Sequence, residues 1–302
     1  MARTPIHTLD LNFQGRPLAI ASYMLEHSGG VVLIESGPGS TLPSLEAALR
    51  AHGYGLADVS HVLLTHIHLD HAGAAGALAR HGAQIYVHPL GAPHMLDPQK
   101  LLVSAGRIYG DQMDSLWGQF LAVPEEKLTV LQDHDEVRVG SLSFCALNTP
   151  GHAEHHYAYQ FEDLCFSGDV GAVRIPGYPY LRVPMPPPEF HLEKWRATLA
   201  LLQQMNFKRI APTHFGIFED VSWHFSAIQA ALDDVESWLT RNMPGDPSVD
   251  DLKDNFQAWM EKQASHEGLD QQAIEAYRLA NPLGMSVDGL LRYWRKFRSN
   301  PA

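Results

Sequence analysis

Hydrophobic residues fall into short runs in the first 218 positions and follow helical spacing from position 219 to the end. Short apolar runs bounded by turn residues predict β-strands, whereas apolar residues three and four positions apart predict helices. The predicted strands are 6–9, 18–25, 31–35, 61–64, 85–88, 127–131, 136–139, 142–147, 157–161, 164–167 and 209–212. The predicted helices are 41–52, 72–81, 98–109, 111–120, 192–204, 220–242, 249–266, 270–280 and 286–296. This order predicts an α/β domain at 1–218 and a helical C-terminal extension at 219–302.

A histidine-rich stretch follows the strand predicted at 61–64. His66, His68, Asp70 and His71 lie within six positions, just before an Ala-rich helix start. In an extended turn His66 and His68 point the same way, because side chains alternate with a period of two. Asp70 and His71 can then face a second point nearby. Since imidazole and carboxylate are preferred ligands of zinc and similar cations, the stretch predicts two adjacent metal positions.

Three later turns share one arrangement with this stretch. In each, an apolar strand ends, Gly or Pro turns the chain, and a side chain of metal-ligand type follows. The three side chains are His152, Asp169 and His214. Each turn alone is weak support, because a single His or a Gly-Asp pair is common at turns. With the histidine-rich stretch they supply five imidazoles and two carboxylates, which favours a metal centre over purely structural roles.

Two long segments, 89–126 and 171–189, are rich in Pro, Gly and aromatic residues, and we expect them to cover a site. Aromatic and arginine side chains in such segments often contact a ligand, but they also fill space under loops. The candidates are Tyr109, Met113, Trp117, Arg174, Tyr178, Tyr180, Arg182 and Met185. The predicted substrate-binding residues among them are Tyr109, Arg174, Tyr178 and Arg182. Tyr178 is also predicted to be catalytic, as a hydroxyl that donates to a developing oxyanion.

Composition narrows the range of partners. A formal net charge of −12 argues against nucleic acid, because phosphate binding needs clustered Lys and Arg. Cys145 and Cys165 lie in apolar, strand-like stretches, which indicates buried thiols rather than a disulfide. The first residues contain no basic-then-apolar signal, and no apolar run approaches the roughly 20 residues that span a bilayer. We therefore expect a cytoplasmic protein with a small-molecule substrate and no membrane partner.

The spacing of these residues resembles the metallo-β-lactamase superfamily of metal-dependent hydrolases. The likeness covers about 6–218 and centres on the motif Thr65-His66-Ile67-His68-Leu69-Asp70-His71. It implies a four-layer αββα sandwich with the metals at one edge, between the two sheets. It also implies a full set of metal ligands. The first metal would be held by His66, His68 and His152, and the second by Asp70, His71 and His214, with Asp169 bridging both.

The resemblance also implies a reaction. Two divalent cations about 3.5–4 Å apart can share a water and lower its pKa toward neutrality. The metal-bridging hydroxide would attack an ester, thioester or lactone bond of a small molecule, and Asp70 would also act catalytically by orienting it. The ligand types favour two Zn²⁺ ions, with Fe or Mn possible. Many members carry Asp-x-Gly where this chain has Glu35-Ser36-Gly37, so a supporting role for Glu35 stays open.

Glyoxalase II-like thioesterases and lactonases combine such a seven-residue set with a bridging Asp, and the chain resembles them most. β-Lactamase activity is not expected, because penicillin-hydrolysing members commonly carry Cys, or no bridge, where Asp169 stands. The alternatives are a mononuclear iron oxygenase of the same fold that acts on a sulfur substrate, and a non-catalytic binding protein. Glyoxalase II binds the glutathione part of its thioester with a C-terminal helical segment. The helices after Asp220 can act similarly, or they can serve in packing or a homodimer.

Overall fold

The computed structural model describes residues 3–245 and 247–299. These residues form eleven strands and eleven α-helices, joined by short turns and 3₁₀ segments. The strands are β1 (His7–Asp10), β2 (Ala21–His27), β3 (Gly30–Ile34), β4 (Val59–Leu63), β5 (Gln84–Val87), β6 (Leu128–Val130), β7 (Glu136–Val139), β8 (Leu142–Asn148), β9 (Tyr157–Phe161), β10 (Leu164–Phe166) and β11 (Arg209–Ala211). The helices are α1 (Leu42–Ala51), α2 (Leu69–Ala72), α3 (Ala75–Arg80), α4 (Ala92–Leu96), α5 (Gln99–Tyr109), α6 (Met113–Trp117), α7 (Leu192–Gln204), α8 (Val221–Asn242), α9 (Val249–His266), α10 (Gln271–Ala280) and α11 (Leu283–Phe297).

The strands form two sheets. The first has the order β1-β2-β3-β4-β5-β6, antiparallel up to β3 and parallel from β3 to β6. The second has the order β11-β10-β9-β8-β7 and is antiparallel except for the parallel pair β10 and β11. In both sheets the parallel pairs place consecutive strand ends at one edge, and the turns that carry the histidines and Asp169 follow those ends.

Alternating side chains on the strands build a core between the sheets. On β2, Tyr23 and Leu25 are buried in the core between the two sheets, whereas Met24 belongs to the cluster under the helices beside the first sheet. On β9, Tyr157 and Tyr159 face the inter-sheet core, whereas Ala158 belongs to the cluster on the other side. Side chains of a strand alternate between its faces, so each sheet buries both of its faces.

Helices cover the outer face of each sheet. Leu45 and Leu49 of α1 and Leu78 of α3 pack against the outer face of the first sheet. Trp195 of α7 and Ile228 of α8 pack against that of the second sheet. This is the four-layer αββα sandwich implied by the resemblance, and the fold prediction is confirmed. None of the helices in the described part of the chain has the length and apolar character needed to cross a membrane.

The predicted helix at 72–81 is in fact interrupted. The chain forms one turn, α2, and then α3, because the Ala74 N–H donates to Gly37 O at 2.9 Å instead of continuing the helix. A Cβ on Gly73 would lie 2.7 Å from Gly39 N, so the loop packs directly on this break. Sequence analysis also missed α4, and α11 begins three residues earlier than predicted.

The helices from α8 onward share their core with the α/β part. Leu232 and Phe256 belong to the same buried cluster as Leu147 and Cys165 of the second sheet. Cys145 and Cys165 are both free thiols. The division into a domain at 1–218 and an extension at 219–302 remains a prediction.

Candidate metal centre

Four turns bring the seven candidate ligands, and a fifth turn brings Glu35, to one edge of the sandwich. They follow β3, β4, β8, β10 and β11, and the turn after β4 carries four of the seven candidates. Because β3 and β4 run parallel, with Ile34 opposite Leu63, Glu35 and Thr65 emerge side by side. The Glu35 N–H donates to Leu63 O at 3.0 Å and fixes this start.

Three imidazole nitrogens meet at a first point. His68 Nδ1 lies 2.9 Å from His66 Nε2 and 3.0 Å from His152 Nε2. The far nitrogen of His152 donates to Pro184 O at 2.9 Å, so its Nε2 carries the lone pair. Burial lowers the pKa of His68 to about 3, and the neighbouring His152 adds to this effect. The three rings are therefore neutral, as metal ligands must be.

A second point lies beside the first. Asp70 Oδ2 is 3.5 Å from His71 Nε2 and 3.5 Å from His214 Nε2. The far nitrogens of the two rings donate outward, from His71 Nδ1 to Glu35 Oε1 at 2.8 Å and from His214 Nδ1 to Ala19 O at 2.7 Å. Both Nε2 atoms therefore point inward beside Asp70, where each can offer a lone pair to a bound cation.

Asp169 lies between the two points. Its Oδ2 is 3.3 Å from His152 Nε2, whereas its Oδ1 is 3.3 Å from His71 Nε2 and 3.4 Å from His214 Nε2. Gly168 makes this placement possible with φ +51°, since a Cβ there would lie 2.6 Å from both His156 Nε2 and Thr65 Oγ1. One carboxylate thus presents one oxygen to each point.

The donor set fits metal ions. His71 Nε2, His214 Nε2 and Asp169 Oδ1 are buried and lack a hydrogen-bond partner among residues 3–245 and 247–299. Such unpaired polar atoms are costly unless a cation satisfies them. Tetrahedral Zn²⁺ with bonds of 2.0–2.1 Å separates its ligand atoms by about 3.3 Å, close to the distances at both points. The residues present therefore suit one cation at each point.

Glu35, whose role the sequence left open, is fully buried and contacts His71 on the side of the ring that faces away from the metal points. Besides His71 Nδ1, its carboxylate accepts hydrogen bonds from Thr65 N at 3.1 Å, Thr65 Oγ1 at 2.5 Å and Thr213 Oγ1 at 2.9 Å. Burial alone would lower the pKa of His71, but Asp169, Asp70 and Glu35 together raise it well above its usual value. Glu35 orients His71 by accepting the hydrogen bond from its Nδ1.

The two points lie at the base of a cavity of about 500 Å³. Helix α5 contributes Leu101, Ala105 and Ile108 to it, so segment 89–126 covers the site as predicted from its length. Tyr109 and Trp117 also line the cavity, and Tyr109 Oη donates to Met285 Sδ of α11 at 3.3 Å. Besides Tyr109 and the candidate metal ligands, the polar side chains of the wall are His94, Lys100, Ser104, Glu154, His155, Glu189 and Asn281.

Three predicted substrate residues do not line this cavity. Arg174 is buried and donates to both carboxylate oxygens of Asp220, at 2.7 and 2.6 Å. Tyr178 lines a different pocket beside Asp270, so the predicted catalytic hydroxyl is not near the metal points. Arg182 is 1% exposed and donates from Nε to Tyr180 Oη at 3.0 Å. Sequence spacing could not reveal the partners of Arg174 and Tyr178, because Asp220 and Asp270 lie far along the chain.

Several functional contacts had no signal in the sequence. Ala19 and Pro184 orient ligand histidines through main-chain carbonyls, which any residue type supplies. His156 Nε2 accepts from the Asp169 N–H at 3.2 Å and fixes the turn that carries the carboxylate. In the cavity wall, His155 Nε2 lies 3.3 Å from Glu189 Oε2. The adjacent pair His155 and His156 is visible in the sequence, but only the fold shows that His155 faces the cavity wall and that His156 supports the Asp169 turn.

Comparisons with known proteins agree with this fold. A metallo-beta-lactamase fold-containing protein, ST1585 of Sulfurisphaera tokodaii, is 24% identical over 163 residues, 53% of this chain and 61% of that protein. A hydroxyacylglutathione hydrolase of Aeromonas salmonicida is 25% identical over 148 residues, 49% of this chain and 45% of that protein. The matched regions thus span about half the length of these curated relatives.

Solved structures show the same fold over nearly the whole chain. A metallo-β-lactamase family protein from Thermus thermophilus, TTHA1429, superposes with a TM-score of 0.68 at 20% identity, covering 96% of this chain and 93% of that one. The ST1585 structure superposes with a TM-score of 0.64 at 18% identity and covers 96% and 99%. The family model of the metallo-beta-lactamase superfamily matches residues 15–214. With two thirds of its length matched and the same sandwich, the chain belongs to the metallo-β-lactamase superfamily.

Proposed function

We propose that the protein is a dinuclear metal-dependent hydrolase that cleaves an ester, thioester or lactone bond of a small molecule. The observation that carries this proposal is the position of Asp169, with one oxygen toward His152 and the other toward His71 and His214. A carboxylate in this position suits two cations better than one. Seven donors with three buried unpaired atoms also support a pair of ions rather than a lone one.

The chain's own residues suit hydrolysis. When bound, two divalent cations supply a water of near-neutral pKa and polarise a carbonyl oxygen. Asp70 lines the cavity, and its side chain is 21% exposed, so it can accept a hydrogen bond from the attacking water and orient it. No serine or cysteine nucleophile is needed for this chemistry.

Tyr109 takes the role first assigned to Tyr178 in this proposal. Burial raises the pKa of Tyr109 well above its usual value, with the Asp70 carboxylate adding to the effect, so the hydroxyl stays protonated. Its partner, Met285 Sδ, is a weak acceptor, and a substrate oxygen can replace it. We infer that Tyr109 donates to the oxygen on which charge develops.

The cavity supports a substrate with an apolar part. Apolar side chains, with leucine, isoleucine and proline the commonest, make up more than half of the residues that line it, and its volume of about 500 Å³ lies in the range of small-molecule sites. Lys100 and His94 offer positive or hydrogen-bonding groups at the same wall. The similarity to hydroxyacylglutathione hydrolases makes thioesters the first class to test.

The test combines metal analysis with a substrate panel. Protein loaded with Zn²⁺ is assayed on a hydroxyacylglutathione thioester, aryl esters and lactones, then treated with a chelator and reloaded. We expect two metal ions per chain and hydrolysis that is lost and then restored. One bound iron, with oxygen consumption on a sulfur substrate, would instead support the iron oxygenase alternative.

A matched pair of variants locates the activity. Asp169→Asn keeps the size of the side chain but removes its charge, and we expect a loss of one metal and of about 10²-fold or more in kcat/KM. Asp254→Asn changes an exposed carboxylate on α9 and should leave both unchanged. Full activity in Asp169→Asn would refute the dinuclear proposal.

A further inference from the structure

A second cavity, of about 700 Å³, lies where the helical extension meets segment 171–189. Its walls come from α8 and α9 on one side and from the segment around Arg182 on the other. The apolar wall residues are Leu181, Val183, Met185, Trp223, Ala227, Ala231, Val235, Phe256, Trp259, Met260 and Leu283. Aromatic rings on an open wall of this size are typical of ligand sites rather than of a filled core.

Arg182 is the notable polar group of this cavity. An isolated β-bridge holds its main chain, with hydrogen bonds of 2.8 and 2.9 Å to Val173. The side chain is 1% exposed, and only Nε has a partner, Tyr180 Oη at 3.0 Å. Nη1 and Nη2 are buried and have no hydrogen-bond partner within the described ranges 3–245 and 247–299. Four of the five guanidinium N–H donors are thus unused.

An unpaired buried guanidinium calls for an acceptor. The Tyr277 and Tyr180 rings lie 5.2 and 5.6 Å from its Cζ, but a ring face replaces only part of the hydration that the cation loses. The planar fork of arginine matches a carboxylate, which accepts two parallel hydrogen bonds. A carboxylate placed against Arg182 would satisfy donors that the protein leaves unsatisfied.

The charges around the opening favour a ligand with a single negative charge over a ligand with two. Lys262 lines the cavity, but so do Asp234 and Glu267. Gln263 Nε2 donates to Asp234 Oδ2 at 3.3 Å. Apart from Arg182, the three charged residues Lys262, Asp234 and Glu267 give the rim of the opening a net charge of −1. A phosphate dianion would meet more repulsion there than a monocarboxylate, so a ligand with a single negative charge can approach Arg182 more readily.

We propose that this cavity is a second ligand site, separate from the metal centre, for a small monocarboxylate with an apolar body. The carboxylate pairs with Arg182, and the body packs between Trp223 and Trp259. Asn281 lines both cavities and forms part of the wall between them. Five of the seven candidate metal ligands line the smaller cavity and none of the seven lines the larger one, so the two sites take different ligands.

The experiment is isothermal titration calorimetry on the full, zinc-loaded chain. The probes are 3-phenylpropanoate, its neutral amide 3-phenylpropanamide, and inorganic phosphate. We expect the carboxylate to bind about 10-fold or more tightly than the amide or phosphate, since hydrogen bonds to a charged group are worth that factor. The carboxylate's affinity should stay the same after zinc is removed with a chelator.

Three variants complete the test. Arg182→Met should lose carboxylate binding, and Ala231→Phe, which fills the cavity and keeps Arg182, should lose it as well. Ala258→Phe places the same ring on an exposed position of α9 and should bind as the wild type does. If Arg182→Met does not fold, Ala231→Phe and Ala258→Phe still decide. Equal binding of the amide or of phosphate, dependence on zinc, no binding by the wild type, or unchanged affinity in Ala231→Phe would overturn the proposal.

Discussion

Replacing Glu35 by glutamine tests how the second metal point is held. The carboxylate accepts four hydrogen bonds, three of them at Oε1 from His71, Thr65 and Thr213. The Thr65 N–H donates to Oε2. A glutamine amide has one acceptor oxygen, so in either orientation its NH₂ group faces at least one buried donor. Each buried donor left without an acceptor costs about 1–3 kcal/mol.

The expected result is a selective loss of metal affinity. Without the carboxylate, His71 is no longer fixed with Nε2 inward, and changes to such supporting groups typically weaken binding about 10- to 100-fold. We expect this loss at the second point, while the first point, built by His66, His68 and His152, stays within about twofold. The metal-free variant should also unfold with about 1–3 kcal/mol less free energy.

The assay is zinc titration against a chromophoric chelator, which resolves two binding steps, together with urea unfolding of the metal-free protein. Glu46→Gln is the matched control, because Glu46 pairs with Arg50 on the surface of α1, at 2.6 Å. It should change neither measurement. Wild-type affinity at both steps in Glu35→Gln, or an equal loss at both steps, would refute the role assigned to Glu35.

Three further predictions concern stability and access. Burial lowers the pKa of His224 to about 4, below its unfolded value of about 6.5. As the pH is lowered through this window, the unfolded chain takes up the proton before the folded chain does, so the free energy of unfolding decreases as the pH decreases. Over that window the wild type should lose about 3 kcal/mol more than His224→Gln in urea unfolding at a series of pH values. Asp220→Asn should destabilise by about 1–3 kcal/mol, because Arg174 loses a charged acceptor, without changing metal affinity. Ala105→Phe should narrow the catalytic cavity and raise KM about tenfold or more with two metals still bound, as kinetics and metal analysis will show.

Local sequence pattern was sufficient to locate most strands, whereas the four-layer arrangement was implied by the family resemblance. The strands at 136–139 and 157–161 have the bounds predicted from apolar runs and turn residues. Exposed and buried side chains alternate along 136–139, whereas 157–161 is largely buried on both faces, and the sequence shows this difference directly. The break between α2 and α3 was not predictable in this way, because its cause is a hydrogen bond from Ala74 to Gly37, 37 positions away.

The candidate ligands were also visible in the sequence, whereas the cavity walls were not. A ligand needs a specific residue type at a strand end, so His152, Asp169 and His214 could be selected by type and place. Wall residues need only to be near, and arginine or tyrosine in a long loop has many possible partners. Arg174 donates to Asp220, 46 positions further along the chain, and Tyr178 contacts Asp270. Neither side chain therefore lines the cavity at the metal points.

Two of the candidate ligand histidines donate outward to main-chain carbonyls, and these two contacts explain why the metal centre depends on the whole fold. His214 is fixed by the carbonyl of Ala19, 195 positions away, and His152 by the carbonyl of Pro184. These carbonyls set which nitrogen of each ring keeps its lone pair, so the donors are oriented before a metal binds. A preformed site spends less of its binding energy on ordering side chains, which favours tight binding. Because ordering of this kind comes from backbone position, exchanging the side chains of residue 19 or 184 should matter little, provided the loop keeps its course.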